Sequence, residues 1–288
     1  MEKSSILFLS FFLFAILGSC QSNKLKSAVC DCSSRVVQDS LIEKYYDNGA
    51  EKLNHIYNNP AWQLYCDSII NLCPNIAFAY RQKAIPYIKN GEYEKAFSLN
   101  DRAVELDSVG YTAYRGFLKC IFTKDYDGAI IDFKKAQQLI PGGYEMDHTY
   151  FFFEGLCNLE LGNYVKAEEN FMQDIIVQTN GDKKKNAHFN TLLYVGILYY
   201  EMKNNEEAKE YLLKCLAEYK ELPDANYYLA LVYKNENNSE LKEKYLEIAR
   251  TTITKGYGTN EDNTYYVNYP HQITLHEIEE EIKNKQVR

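Results

Sequence analysis

The sequence predicts an all-α array of helical hairpins, and three observations predict it. The first is a period of 34 residues: the Ala-Tyr-Arg triplet at 79–81 recurs at 113–115, and Gly196 recurs as Ala230. The second is a small residue at a fixed place in each helix of a unit, and the third is a turn-forming dipeptide between the two helices. Together these features indicate paired helices that repeat along the chain.

The small residues indicate where the two helices of one hairpin approach each other. On the first helices they are Ala84, Gly155, Gly196 and Ala230, and on the second helices Ala96, Ala129, Ala167 and Ala208. Between the helices lie Asn90-Gly91, Lys124-Asp125, Gly162-Asn163 and Asn204-Asn205, which favour tight turns. Each hairpin leaves an apolar face that the next hairpin covers, so such units are stable only when they stack.

The units follow one another in order. They span residues 43–76, 77–110, 111–143, 148–181, 189–222 and 223–256. The first is degenerate, with Asn58-Asn59-Pro60 as its turn, and the third has a turn shortened by one residue. Longer connections are expected near Pro141–Asp147 and Thr179–Ala187.

The period and these residues resemble the tetratricopeptide repeat family. The resemblance covers roughly residues 43–256, and Leu161-Gly162-Asn163-Tyr164 is among the segments that carry it. It implies a right-handed α-solenoid of about six hairpins. The last unit departs from the pattern, because Lys242 stands where the family usually has alanine.

The chain after the repeats is predicted to close the array. Residues 265–270 are expected to be irregular or extended, and Ile273 to Lys285 has apolar and acidic residues on opposite faces of a helix. We therefore expect residues 257–288 to form an irregular segment and a capping helix.

The N-terminus carries an export signal. Ile6 to Leu17 is an apolar run too short to span a bilayer, which takes roughly 20 residues. The sequence Leu17-Gly18-Ser19-Cys20 that ends it resembles the bacterial lipobox, which implies that residues 1–19 are removed and that Cys20 is acylated. Residues 20–34 are then a lipidated tether, and 35–256 form the repeat domain.

The eight cysteines leave seven after acylation of Cys20. Cys30 and Cys32 form the most suggestive pair, and a disulfide from this pair to Cys66 or Cys73 stays open at the level of sequence. Three further cysteines lie on apolar helix faces, where burial is expected: Cys120, Cys157 and Cys215.

Composition and motifs argue against several classes of function. The net charge is −8, and the sequence has no concentrated cationic face of the kind that a nucleic-acid binder needs. The sequence contains no catalytic signature of the GxSxG, HExxH or phosphate-loop type, and the five histidines are scattered. His271, His276 and Glu280 match no common metal-ligand spacing. We expect neither an enzyme nor a cofactor or metal site.

The family resemblance implies that a peptide binds in a concave groove formed by the first helices. Projected onto this sequence, the predicted groove residues are Arg81, Arg115, Lys119, Phe122, Phe152, Tyr200 and Tyr227. Arginine and lysine followed by aromatic rings suit a peptide with an acidic end and an apolar stretch. The alternative is that these cations pair with acidic neighbours and that the rings complete the core.

The leading hypothesis is a membrane-anchored scaffold that binds a protein or peptide partner in the bacterial cell envelope. The alternative is an accessory lipoprotein that binds a glycan or small molecule for an uptake system, which would present exposed coplanar rings. The segment after Cys20 has no aspartate directly following the cysteine, which by resemblance to sorting signals favours the outer membrane, facing the periplasm. The inner membrane and the cell surface remain alternatives.

Overall fold

The computed structural model describes residues 31–182, 184–259 and 261–283, and its helices pair in chain order. Six hairpins are followed by α13, so the predicted all-α architecture is confirmed in this part of the chain. The hairpins are α1 (Arg35–Ile42) with α2 (Pro60–Leu72), α3 (Ala77–Lys89) with α4 (Tyr93–Leu106), α5 (Ser108–Leu118) with α6 (Tyr126–Leu139), α7 (Tyr150–Glu160) with α8 (Tyr164–Thr179), α9 (Phe189–Glu201) with α10 (Asn205–Glu218), and α11 (Pro223–Asn235) with α12 (Ser239–Thr254). The last helix, α13, is Leu275–Lys283.

The predicted small residues lie at the closest approaches within the hairpins. The second-helix alanines Ala96, Ala129, Ala167 and Ala208 are fully buried. A Cβ atom added to Gly155 would lie 2.7 Å from the ring of Phe171, and one added to Gly196 would lie 2.7 Å from Leu212. Residues at these positions have to be small, because a larger side chain would push the two helices apart.

The first hairpin departs most from the regular unit. Its first helix begins at Arg35, eight residues before the predicted unit, and widens to π-helical geometry over Glu43–Ala50. Its buried side chains fall in two small clusters separate from the main core, which extends from Ile88 to Ile278, and one of these clusters also includes Ala79 of α3. This hairpin therefore depends less on the common core than the others do.

A disulfide joins the start of the first hairpin to its end. Cys32 and Cys73 are bonded, with their Cα atoms 5.4 Å apart, which resolves one of the pairings that the sequence left open. The other cysteines of the described regions are free and buried, as predicted for Cys120, Cys157 and Cys215. Residues 1–30, including the predicted signal peptide, Cys20 and Cys30, lie outside the described residues.

The connection between the third and fourth hairpins contains a short β-hairpin that was predicted only as a longer loop. Its strands are β1 (Tyr144–Glu145) and β2 (His148–Thr149), which pair in antiparallel register. The hairpin leads directly into α7 and places His148 in the interior. This position matters for the site described below.

Helix α13 packs on α12 as the predicted cap. Ile278 is fully buried, and the carboxylate of Glu281 lies 2.7 Å from the ammonium groups of both Lys234 and Lys242. Lys242, which breaks the repeat pattern, is therefore the counter-charge for the cap. Across the three described ranges, no helix has the length and apolar character that crossing a membrane requires.

Candidate ligand groove along the first helices

The chain between α12 and α13 lies across the first helices of the hairpins. We call residues 261–274 the C-terminal segment, and the face of α3, α5, α7, α9 and α11 that it contacts the first-helix groove. The segment has no regular structure beyond one 3-10 turn, Asp262–Tyr265. It contacts the end of α3 through Lys89 and Asn263, and the start of α11 through Asp224 and Ile273.

The acidic end of the segment is held in the interior by polar side chains. Glu261 Oε1 lies 2.7 Å from His148 Nε2 and accepts a hydrogen bond from Asn190 Nδ2 at 2.7 Å. The hydroxyl of Tyr269, in the same segment, donates to the other carboxylate oxygen of Glu261 at 3.4 Å. His148 stacks on Phe152 with ring centroids 4.1 Å apart. A largely buried carboxylate with this many partners fixes the position of the backbone that carries it.

Other groove side chains bind the main chain of the segment. Lys124 Nζ donates to the carbonyl of Asn268 at 2.9 Å, and the Tyr194 hydroxyl donates to the carbonyl of Pro270 at 2.8 Å. These contacts are made to main-chain carbonyl oxygens and do not depend on the side chains of the segment. The groove therefore contains donors suited to a peptide main chain.

A second acid–base pair holds the segment near its C-terminal end. His271 Nε2 lies 2.8 Å from Glu160 Oε1, and the Tyr228 hydroxyl is 3.1 Å from His271 Nδ1. Burial alone would raise the pKa of Glu160, but the hydrogen bond and charge of His271 outweigh it, and the pKa lies below its ordinary value. The Tyr126 hydroxyl donates to the same carboxylate at 3.0 Å.

A cleft of about 160 Å³ lies between the segment and the N-terminal part of the groove. The guanidinium of Arg81 lies 4.4 Å from the centroid of the Tyr114 ring, and Phe122 lines the same cleft. Lys89 stands 4.0 Å from the ring centroid of Tyr266, and burial lowers the pKa of Lys89 to about 8. The cleft combines cationic groups with aromatic walls.

Comparison with known proteins identifies the architecture. The family model described as tetratricopeptide repeat matches residues 195–221. PilW, a widely conserved type IV pilus biogenesis factor, superposes with a TM-score of 0.61 at 15% identity, covering 81% of this chain and 99% of its own. This chain has the tetratricopeptide-repeat fold. PilF of Pseudomonas aeruginosa gives a TM-score of 0.58 at 17% identity over 79% of this chain and 97% of its own.

A third tetratricopeptide-like neighbour is MamA, residues 41 to the end, from Desulfovibrio magneticus RS-1. Its TM-score is 0.52 at 14% identity, and the match covers 62% of this chain and 96% of that one. No curated protein sequence matches this chain significantly. At these identities the likeness concerns the fold, and the role of the groove has to be argued from its own residues.

Five of the seven predicted groove residues lie near the C-terminal segment. Arg81 and Phe122 line the cleft that Asp262 and Asn263 also line. Tyr200 and Tyr227 each pack edge to face on Tyr228, which binds His271.

Phe152, the fifth of these residues, is a core side chain, 1% exposed beneath His148. It supports the groove from below and offers no free surface.

The sequence left open whether the predicted groove cations pair with acidic neighbours. Arg115 and Lys119 both do so. Arg115 donates to both carboxylate oxygens of Asp132, at 2.6 and 2.9 Å, and Lys119 lies 2.8 Å from the same carboxylate. A further ion pair joins Arg115 to Asp101 at 2.7 Å, and the hydrogen bonds to Asp132 and Asp101 raise the pKa of Arg115. These two cations join neighbouring helices because Asp132 is buried and needs them, and their role in the groove stays a prediction.

The sequence missed a buried polar cluster that joins α7, α8, α9 and the segment. Besides His148 and Glu261 it contains Asp174, which accepts hydrogen bonds from the hydroxyls of Thr149 and Thr191, both at 2.7 Å. Burial raises the pKa of Asp174. The members come from distant parts of the chain and share no motif, so nothing in the sequence indicated this cluster.

The hydrogen bonds of Asp174 indicate that the polar cluster has a structural role. Each oxygen of Asp174 already accepts from a threonine, and Gln178 donates to Asp174 Oδ1 at 2.8 Å. A general acid or base needs a free hydrogen-bonding position that faces its substrate. Within the described ranges, no group of three or more histidine, cysteine, aspartate or glutamate side chains is arranged to hold a metal ion.

Proposed function

We propose that this chain is a lipid-anchored scaffold of the bacterial cell envelope that holds a stretch of a partner protein in the first-helix groove. One observation carries the proposal: the groove already holds a stretch of polypeptide that has little regular secondary structure. Lys124 and Tyr194 bind its carbonyl oxygens, and His148 with Asn190 binds a carboxylate. A surface with these donors has the chemistry of a peptide-binding site.

The cellular location is proposed from the N-terminal sequence. Cys20 follows a short apolar run and lies in a sequence that resembles the lipobox. The Cys32–Cys73 disulfide supports export, because structural disulfides form in oxidising compartments and are rare in the cytosol. We propose an outer-membrane lipoprotein that faces the periplasm. PilW, which shares the fold, is a pilus biogenesis factor, and an assembly role for this chain is consistent with that.

The aromatic rings favour a peptide over a sugar as the ligand. A sugar-binding site presents coplanar exposed rings, whereas Tyr200 and Tyr227 stand at 69° and 85° to the ring of Tyr228. Rings in this arrangement pack against one another and against chain, and do not form a flat platform. We propose that the chain binds and does not catalyse.

Photo-crosslinking in intact membranes tests the proposal. A photoreactive phenylalanine replaces Tyr227 in the groove, and in a matched control it replaces Ile131, which is 69% exposed on the second helix α6. We expect a discrete partner to be captured from position 227 and not from 131. Identical products from the two positions would contradict the groove as the partner site.

The anchor is tested separately. A Cys20→Ser variant cannot be acylated through a thiol, so we expect it in the soluble fraction of the envelope, while the parent stays with the membrane. A variant that still sediments with the outer membrane would refute lipid anchoring at this residue. The result does not bear on the groove.

A further inference from the structure

The C-terminal segment makes the contacts that a bound peptide would make, although it belongs to the same chain. We infer that residues 261–273 are an intramolecular ligand of the first-helix groove, which a partner peptide of the same chemistry has to displace. This inference rests on the proposed function for the statement that a partner uses the groove. It adds that the groove is closed in the resting chain and specifies what opens it.

The chemistry of the displacing peptide follows from what the segment supplies. When Glu261 leaves, the buried side chains of His148 and Asn190 lose their hydrogen-bonding partner. A carboxylate of the incoming peptide therefore has to take its place. Eight residues after Glu261 comes Tyr269, whose side chain is buried at 4% exposure. The partner is therefore a peptide stretch that begins with an acidic residue and places an aromatic ring about eight residues later.

The segment is built in a way that permits exchange. It lacks regular structure except for one turn, and two of its tyrosines point outward: Tyr265 is 88% exposed and Tyr266 is 42% exposed. Its main chain is bound by three side chains, Lys124, Tyr194 and Asp224, and another peptide backbone can bind the same three groups. Leaving the groove costs these bonds, and an incoming peptide restores them.

The covalent attachment of the segment sets how strongly it competes. A ligand joined to its site by short connections has an effective concentration in the millimolar range. For a segment whose own dissociation constant from the groove is about 10 µM, an effective concentration of ~1 mM weakens the apparent affinity of a free peptide by about 100-fold. The resting chain therefore excludes weak ligands and admits only a partner that binds tightly or at more than one point.

The test measures binding of a fluorescent synthetic peptide of residues 261–273 to the full-length chain by anisotropy. Glu261→Gln weakens the tethered segment, because it removes the carboxylate from the His148 site. Tyr265→Ala is the matched control, a change in the same segment at a side chain that faces solvent. We expect Glu261→Gln to bind the peptide at least about tenfold more tightly than the parent, and Tyr265→Ala to bind it as the parent does.

A second measurement covers the case in which Glu261→Gln fails to fold. A protease site inserted at Gly256–Gly258, where Tyr257 is exposed, allows the folded chain to be cut on one side of the segment. Cutting removes half of the tether, so the labelled peptide should bind more tightly after cleavage than before. Equal affinity of the parent, the Glu261→Gln chain and the cut chain would overturn the inference and make the segment a permanent part of the fold.

The outcomes separate this inference from the proposed function. Peptide binding that rises as expected, with no partner captured from position 227 in membranes, upholds the intramolecular ligand and refutes the scaffold. A partner captured at position 227, with peptide affinity unchanged by Glu261→Gln and by cleavage, upholds the scaffold and refutes the intramolecular ligand.

Discussion

Removing the Cys32–Cys73 cross-link should loosen the first hairpin and leave the rest of the solenoid unchanged. The two cysteines are 41 residues apart, and the entropy of closing a loop of that length corresponds to about 4 kcal/mol in the chain-entropy model. The effect should be local because the buried side chains of this hairpin form clusters separate from the main core. The perturbation is the double variant Cys32→Ser, Cys73→Ser.

Hydrogen exchange resolved by region is the assay. A loss of about 4 kcal/mol in the free energy of local opening accelerates exchange about a thousandfold in residues 35–72. Residues 150–218 should keep the exchange rates of the parent. The control is Cys66→Ala, which removes a buried thiol of the same hairpin but no cross-link and should cost about 1 kcal/mol. Acceleration below tenfold, or equal acceleration in both regions, would refute the reasoning.

Three further changes test the packing and the buried charges by chemical denaturation. Gly196→Val should lower the free energy of unfolding by about 1–3 kcal/mol, because its Cβ meets Leu212 at 2.7 Å; an unchanged value would show that the helices separate freely. Asp132→Ala should cost about 1–3 kcal/mol, because Arg115 loses its hydrogen bonds to Asp132 but keeps its ion pair with Asp101, and an unchanged free energy of unfolding would contradict this. Burial raises the pKa of Asp224 from 3.8 to about 6. Between these two values the folded chain holds a proton on Asp224 that the unfolded chain has released. The free energy of unfolding therefore falls by about 3 kcal/mol as pH rises from 4 to above 6. Asp224→Asn should remove that part of the pH dependence, and a parent-like slope would show that another group causes it.

The fold was predictable from the sequence because its packing rule is local and repeated. Ala96, Ala167 and Gly196 are small at fixed intervals since two helices meet there in every unit, and the interval survives when the rest of the repeat diverges. The cap was predictable for a similar reason, because a helix with one apolar face needs a surface to cover. Lys242 departs from the repeat pattern, and the sequence gives no reason for it. The reason is the ion pair that Lys242 makes with Glu281 of the cap.

The site was predictable only in part, because it depends on single contacts between distant residues. His148 and Glu261 are 113 residues apart and belong to no periodic pattern, so nothing in the sequence joins them. The choice between a free and a paired Arg115 depends on whether Asp132 turns inward, and helical spacing does not decide that. The family resemblance suggested an open groove, whereas the chain supplies its own occupant.

The exchange rate of the Ile273 amide tests most directly whether the segment lies in the groove. This N–H donates to Asp224 Oδ1 at 2.9 Å, and a segment that is bound about 100 times more often than it is displaced protects the amide by about the same factor. We therefore predict exchange about 100-fold slower than in an unstructured peptide. Exchange at the rate of an unstructured peptide would contradict the occupied groove and the intramolecular ligand with it.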